Sequence, residues 1–194
     1  METELQKAKA ALRKQIRAAL RNISPVARHA ASAQLCARLK EQPVWKTASS
    51  VLLFAPLPDE ADVWPLLEET AASGKIAALP RFDAVDQTYV ACRIRHPRTE
   101  IAIGQFGIRE PKTGCAEVAL NRLDLILAPG VAFDDRGRRL GRGRGFYDRL
   151  LAETCGLKCG IAFDEQIAGE VPAEAHDQRM NLILTPTRCL RCDG

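Results

Sequence analysis

Two short runs, Ser50–Ala55 (SVLLFA) and Leu123–Ala128 (LDLILA), are apolar along almost their whole length instead of at every second position. A strand with one wet face alternates, whereas a strand covered on both faces does not, and cover on both faces is the condition of a parallel sheet. Helical patterns surround these runs. Leu5, Ala8, Leu12, Ile16, Ala19 and Leu20 form one stripe of a helix over 5–22, with Lys7, Lys9, Arg13, Lys14 and Arg17 on its other faces. Ser24 before Pro25 supplies an N-cap and a first-turn residue, which predicts a second helix to about Glu41. Asp62 can cap a helix from Val63 to Ala72, and another helix is expected from about Gly145 to Cys155. Further strands are expected at Lys75–Leu79, Thr88–Ile94, Lys158–Phe163 and Asn181–Thr185. Strands alternating with helices imply right-handed crossovers and an α/β fold, its mostly parallel sheet covered on both faces. No repeat or linker interrupts residues 1–194, which read as one domain. Ligands of such sheets bind beyond the carboxyl ends of the strands, where the loops Pro56–Glu60 and Pro129–Asp148 stand out.

Charge and cysteine content narrow the function classes. The net charge of +4, from 28 basic and 24 acidic residues, is too mild to imply polynucleotide binding by itself. It is unevenly distributed: six arginines lie between Arg136 and Arg149, opposed only by Asp148. Such a run can be a solvated face, a nucleic-acid patch or a phosphate site. A nucleic-acid module would call for a broader basic face and more aromatic residues than the 5% here. No apolar stretch is long enough to span a membrane, and Met1–Arg21 lacks the apolar centre of a secretory leader. Seven cysteines, an odd number, then suit a reducing cytoplasm as small buried hydrophobes. Cys155, Cys159, Cys189 and Cys192 are spaced too loosely to predict a zinc site.

The phosphate reading draws its strength from Leu140-Gly141-Arg142-Gly143-Arg144-Gly145-Phe146-Tyr147-Asp148. Glycines at alternate positions let backbone N–H groups approach an anion closely. The expected helix begins directly after them, with its positive end towards the same place. Arg142 and Arg144 add cationic donors suited to phosphate oxygens. The spacing is neither that of a Walker loop nor that of a dinucleotide fingerprint. Without such a ligand the segment would be a flexible solvated loop.

Pro129-Gly130-Val131-Ala132-Phe133-Asp134, then Arg139-Leu140-Gly141-Arg142-Gly143 and Phe146-Tyr147-Asp148-Arg149, resemble the signature of the 5-formyltetrahydrofolate cyclo-ligase (5,10-methenyltetrahydrofolate synthetase) family. The resemblance extends to Lys9-x-x-Leu12-Arg13, Asp59-Glu60, Phe106-Gly107-Ile108 with Glu110-Pro111, and Val171-Pro172 followed by His176-Asp177. It implies a three-layer α/β/α sandwich like that of certain sugar-phosphate isomerases and CoA transferases. It also implies an ATP-dependent closure of 5-formyltetrahydrofolate to 5,10-methenyltetrahydrofolate through a phosphorylated formyl group.

Carried over by that resemblance, Lys9, Arg13, Arg139, Gly141, Arg142, Gly143, Arg144, Gly145, Phe146 and Tyr147 are the expected ATP contacts. The N-terminal helix then contributes to the nucleotide site, although Lys9 and Arg13 by themselves read as a solvated basic face. Ala55, Glu60, Phe106 and Tyr147 are expected around the folate. Arg144 and Tyr147 are the expected catalytic residues, and Asp148 and Asp177 the expected ligands of Mg2+. Arg144 and Phe146 stand where many members carry Lys or Gly and Tyr respectively, and Asn181 where an acid is frequent. A monomer acting on small molecules is expected. Two alternatives stay open: a related ATP-dependent enzyme for another formyl or amide compound, which would lack the Glu60 and Phe106 pocket, and a nucleic-acid-binding protein using Arg136–Arg149.

Overall fold

The computed structural model describes residues 3–174 and 177–192. Helix α1 (Glu4–Arg21) starts in a capping box in which the Thr3 hydroxyl accepts from Gln6 N–H and the Gln6 side chain accepts from Thr3 N–H. It buries Ile16 and Leu20 of the expected stripe. Helix α2 (Pro25–Glu41) is capped by Ser24, whose hydroxyl accepts from Ala27 N–H at 3.2 Å. A short helix, α3 (Pro43–Thr47), precedes strand β1 (Ser50–Leu52). Helix α4 (Trp64–Ala72) begins one residue later than expected, and Asp62 Oδ1 accepts from Trp64 N–H at 3.0 Å. There follow β2 (Ile76–Asp83), β3 (Thr88–Ile94), β4 (Ile101–Ile103), β5 (Arg109–Pro111) and β6 (Glu117–Val118). The chain continues through β7 (Leu125–Pro129), β8 (Ala132–Phe133), β9 (Arg139–Leu140), α5 (Phe146–Ala152), β10 (Leu157–Ile161), β11 (Leu182–Leu184) and β12 (Cys189–Arg191).

Eight strands form one sheet in the order β12-β11-β10-β7-β1-β2-β3-β6. The middle five, β11 to β2, are parallel, as the apolar runs required. Along β7, Leu125 and Leu127 pack into the core layer beneath α1–α4, while Ile126 and Ala128 pack on the other face with Leu150 and Leu151 of α5. Each position from Leu125 to Ala128 therefore needs an apolar side chain, and the three-layer α/β/α arrangement follows.

The edges differ from the sequence reading. Strands β3, β6 and β12 are antiparallel to their neighbours. The turn 84–87 folds β3 directly back on β2, so no crossover helix intervenes. Strand β1 ends at Leu52, not Ala55, because the chain leaves the sheet there and takes Phe54 and Ala55 to a cavity wall. Strand β2 runs on to Asp83 through Pro80. Ala78 C=O faces the β1 side, accepting from Leu53 N–H, so the N–H that Pro80 lacks would point to the same side, beyond the end of β1.

Candidate active site

The carboxyl ends of β1 and β7 open on a cavity of about 320 Å³, the position expected of a parallel sheet. Its walls include Ala55, Glu60, Phe106, Arg139 and the whole segment Gly141–Asp148. These residues lie in separate parts of the sequence and are brought to one place.

Gly143 and Gly145 have φ of 105° and 68°, backbone that a side chain would strain. They turn the chain from β9 into α5, which at seven residues is shorter than the expected helix to Cys155 because Glu153 caps it. Arg13 reaches this turn from α1 and donates through Nε to Gly141 C=O at 2.9 Å. Arg139 is anchored beneath it, its side chain 2% exposed, donating to Pro129 C=O at 3.0 Å and to Asp148 Oδ1 at 2.5 Å. Arg142 donates to Glu60 and to Asp59 across the cavity mouth. Arg144 lies over the Phe106 ring, 4.7 Å from its centroid.

The cavity interior is aromatic. Phe106, Tyr89 and Phe146 of the lining pack with Phe82, which is not part of it, at centroid distances of 4.9–5.9 Å in edge and offset contacts. Phe146 is enclosed on three sides by rings, which accounts for an apolar side chain at that position. Tyr147 is partly buried, and its hydroxyl is buried with no hydrogen-bond partner among the described residues. Burial, with Glu60 nearby, pushes the Tyr147 hydroxyl far above its ordinary pKa. Glu60 is 8% exposed at its side chain. Burial raises its pKa, opposed by the Leu57 N–H bond at 3.0 Å and by Arg142.

Lys9, Arg13 and Asp177 do not line the cavity. Lys9 Nζ donates to Asp177 at 2.9 Å and to Glu174 at 2.8 Å, tying α1 to a segment 168 residues further on. His176 lies outside the described residues. Asn181 Oδ1 accepts from Lys158 N–H at 2.9 Å and clips β11 to β10, so its side chain has a structural task.

Among the described residues no three His, Cys, Asp or Glu side chains gather to hold a metal ion, zinc included. Asp148 and Asp177 are each paired with a cation, Arg139 and Lys9. A magnesium ion that arrives on phosphate oxygens takes only one or two carboxylates; Asp148 lines the cavity where such phosphates would sit, whereas Asp177 does not.

Tyr89, Arg109 and Glu110 are among the wall residues to which sequence reasoning assigned no role. Part of the signature is structural instead. Asp134 is fully buried and accepts from Arg136, Arg138 and Val171 N–H and from Arg138 Nε. Gln166, which carried no sequence signal, donates to Gly130 and Val131 C=O and holds the same turn.

A parallel α/β sandwich whose strand ends carry a basic glycine-rich turn over an aromatic cavity is an enzyme for a small, partly aromatic, anionic substrate set. The chain belongs to the 5-formyltetrahydrofolate cyclo-ligase family, whose sequence profile matches residues 5–186. It is similar to the 5-formyltetrahydrofolate cyclo-ligase of Escherichia coli (strain K12), at 32% identity over 177 residues, 89% of this chain and 97% of that one. The Mus musculus enzyme of the same name is 30% identical over 189 residues, 91% of this chain and 93% of the relative. The solved structure of Aquifex aeolicus 5,10-methenyltetrahydrofolate synthetase superimposes with a TM-score of 0.86 at 35% identity, covering 96% of this chain and 94% of that chain. That of the Mycoplasma pneumoniae synthetase shares the fold, with a TM-score of 0.73 at 22% identity over 92% of this chain and 98% of that one.

Proposed function

We propose that the chain closes 5-formyltetrahydrofolate to 5,10-methenyltetrahydrofolate, converting ATP to ADP and phosphate. The observation that carries this is that Glu60 and Phe106 line the same cavity as the Gly141–Asp148 turn. A pterin needs an aromatic face and an acceptor for its N–H edge, which Phe106 and Glu60 would supply, with Ala55 and Tyr147 also in the lining. A triphosphate needs backbone N–H groups and cations, which Arg139 and Gly141–Tyr147 would supply from the cavity wall, and Lys9 and Arg13 of α1, outside that wall, would extend the site.

The formyl oxygen of an N5-formyl group leaves poorly. Transfer of the γ-phosphoryl group to that oxygen turns it into phosphate as leaving group. N10 then bonds the formyl carbon, and the C–O bond breaks with its electron pair going to phosphate. The chain's contribution is to hold both substrates in line and to offset charge leaving the γ-phosphate, a task for Arg144. Tyr147 contacts the folate from the same turn. Magnesium, when bound, neutralises phosphate charge, and Asp148 and Asp177 are the residues that would hold it. No helix among the described residues is long and apolar enough to cross a membrane, and the seven cysteines are free thiols.

The test is methenyltetrahydrofolate formation followed by absorbance, with and without Mg-ATP, using substrate labelled in the formyl oxygen. Product should form only with nucleotide, and the label should appear in phosphate. Label in water, or ring closure without ATP, overturns the mechanism. ATP turnover unaffected by any reduced folate would favour another formyl or amide substrate.

A further inference from the structure

Glu110 is a second buried carboxyl group in the cavity wall, and the roles given above leave it without a task. It is 6% exposed, in β5 of the β4–β5 hairpin whose turn carries Phe106. Its Oε2 accepts from Phe82 N–H at 3.3 Å. Its Oε1 is buried with no hydrogen-bond partner among the described residues. Buried polar atoms are rarely left so, because desolvation without a partner is costly. The fold makes room for this one: a Cβ at Gly104 would lie 2.4 Å from the Glu110 carboxyl carbon and Oε2.

Its surroundings do not neutralise it. Arg81 faces it from β2 but donates to Glu117 at 2.7 Å instead. Tyr89 faces it from β3, and Arg144 acts on Tyr89 from the glycine-rich turn. Burial therefore dominates and raises the Glu110 pKa, against the Phe82 N–H bond and Arg81. Glu60 is the contrast: its two oxygens are engaged by Leu57 N–H and by Arg142.

Ring closure releases one proton that the roles above do not account for. N10 enters as an amine bearing one hydrogen and leaves as part of an amidinium bearing none. When N10 bonds the formyl carbon, its N–H bond must break and leave its electrons on N10, while the phosphate departs with the C–O pair. We propose that Glu110 is the general base that takes this proton on Oε1 and later returns it to solvent. The proposal rests on the cyclisation reading. A carboxylate whose pKa lies above the usual range is a better base near neutral pH than an ordinary one.

Glu110→Gln keeps the size of the side chain and the acceptor for Phe82 N–H while removing the base. In this variant kcat should fall on the order of 100-fold or more, with KM for 5-formyltetrahydrofolate changed less than about threefold. The acidic limb of the kcat–pH profile should disappear. Glu110→Asp should keep that limb at an intermediate kcat, and it decides the matter if the Gln variant does not fold. An unchanged kcat, a persisting acidic limb in Glu110→Gln, or a rise in KM alone overturns the assignment. A parent chain that makes no methenyltetrahydrofolate overturns the cyclisation reading as well, whereas an active parent beside an equally active Glu110→Gln variant overturns only this proposal.

Discussion

Arg142 donates to Glu60 Oε1 through Nε at 3.2 Å and through Nη2 at 3.0 Å, and the same Nη2 reaches Asp59 at 2.6 Å. The arginine assigned to phosphate and the carboxylate assigned to the pterin are thus each other's partners. If ATP phosphates draw on Arg142 as proposed, they would compete with Glu60 for it, and a bound nucleotide would leave Glu60 available to the pterin.

The coupling has a measurable form. A non-hydrolysable ATP analogue should raise the affinity for 5-formyltetrahydrofolate, and the folate should raise the affinity for the analogue by the same factor. Arg142→Ala should weaken nucleotide binding and abolish the rise. The same variant removes a cation that holds the Glu60 pKa down, so that pKa moves further up. Folate binding that needs the carboxylate should then fail at a higher pH, as pH is lowered, than in the parent. Calorimetric titrations across pH measure both effects. An equal rise in folate affinity in parent and variant would sink the idea.

The metal assignment separates catalysis from stability because each carboxylate has a second job. Asp148→Ala and Asp177→Ala should both raise the magnesium concentration needed for half-maximal activity. Asp148→Ala should also destabilise the chain by about 1–3 kcal/mol, since Arg139 is buried and loses a charged partner. Asp177→Ala leaves Lys9 paired with Glu174, so its stability cost should be smaller. Magnesium titrations of turnover beside thermal unfolding distinguish the two effects. Unaltered magnesium dependence in both variants would remove Asp148 and Asp177 as ligands.

What the sequence made legible depended on how many residues carried each signal. Strand β7 was readable because its consecutive residues fill two core layers. The pairings β4–β5 and β8–β9 span three and two residues, too few for any periodicity. The antiparallel direction of β3 is decided by the turn 84–87, where the left-handed residue is Gln87, φ 52°, and not a glycine. In the site, alternate glycines announced the Gly141–Asp148 turn. The Lys9–Asp177 ion pair joins residues 168 apart and leaves no local trace. Tyr89 and Glu110 face the cavity only because β3 and β5 fold beside it, information that lies in tertiary contacts.

Asp134 tests the structural part of the signature. Its carboxylate is fully buried, accepts three backbone N–H groups and pairs with Arg138 at 2.6 Å. Removing it leaves those donors buried and one partner short, so Asp134→Ala should cost about 3–5 kcal/mol. In a chain of this length that lowers the unfolding temperature by about 10 °C. Thermal unfolding checks it, and a shift under about 2 °C would mean that the turn 134–138 contributes little to the fold.

Arg144 separates charge from shape at the transferring group. Its guanidinium rests 4.7 Å from the Phe106 centroid and makes no ion pair among the described residues, so it can meet phosphate oxygens without breaking a salt bridge. Arg144→Ala should remove a contact formed with the transferring phosphoryl group, costing about 2–4 kcal/mol of transition-state stabilisation. That is a loss in kcat of roughly 30- to 1000-fold. Folate affinity should fall by less, because the aromatic contact with Phe106 contributes on the order of 1 kcal/mol at an exposed site. Arg144→Lys restores the charge on a shorter, non-planar head and should recover most of the turnover. Steady-state kcat and KM for both variants, with folate affinity measured in the absence of nucleotide, decide between the two contributions. If Lys is no better than Ala, bidentate geometry and not charge is what the γ-phosphate requires from this position.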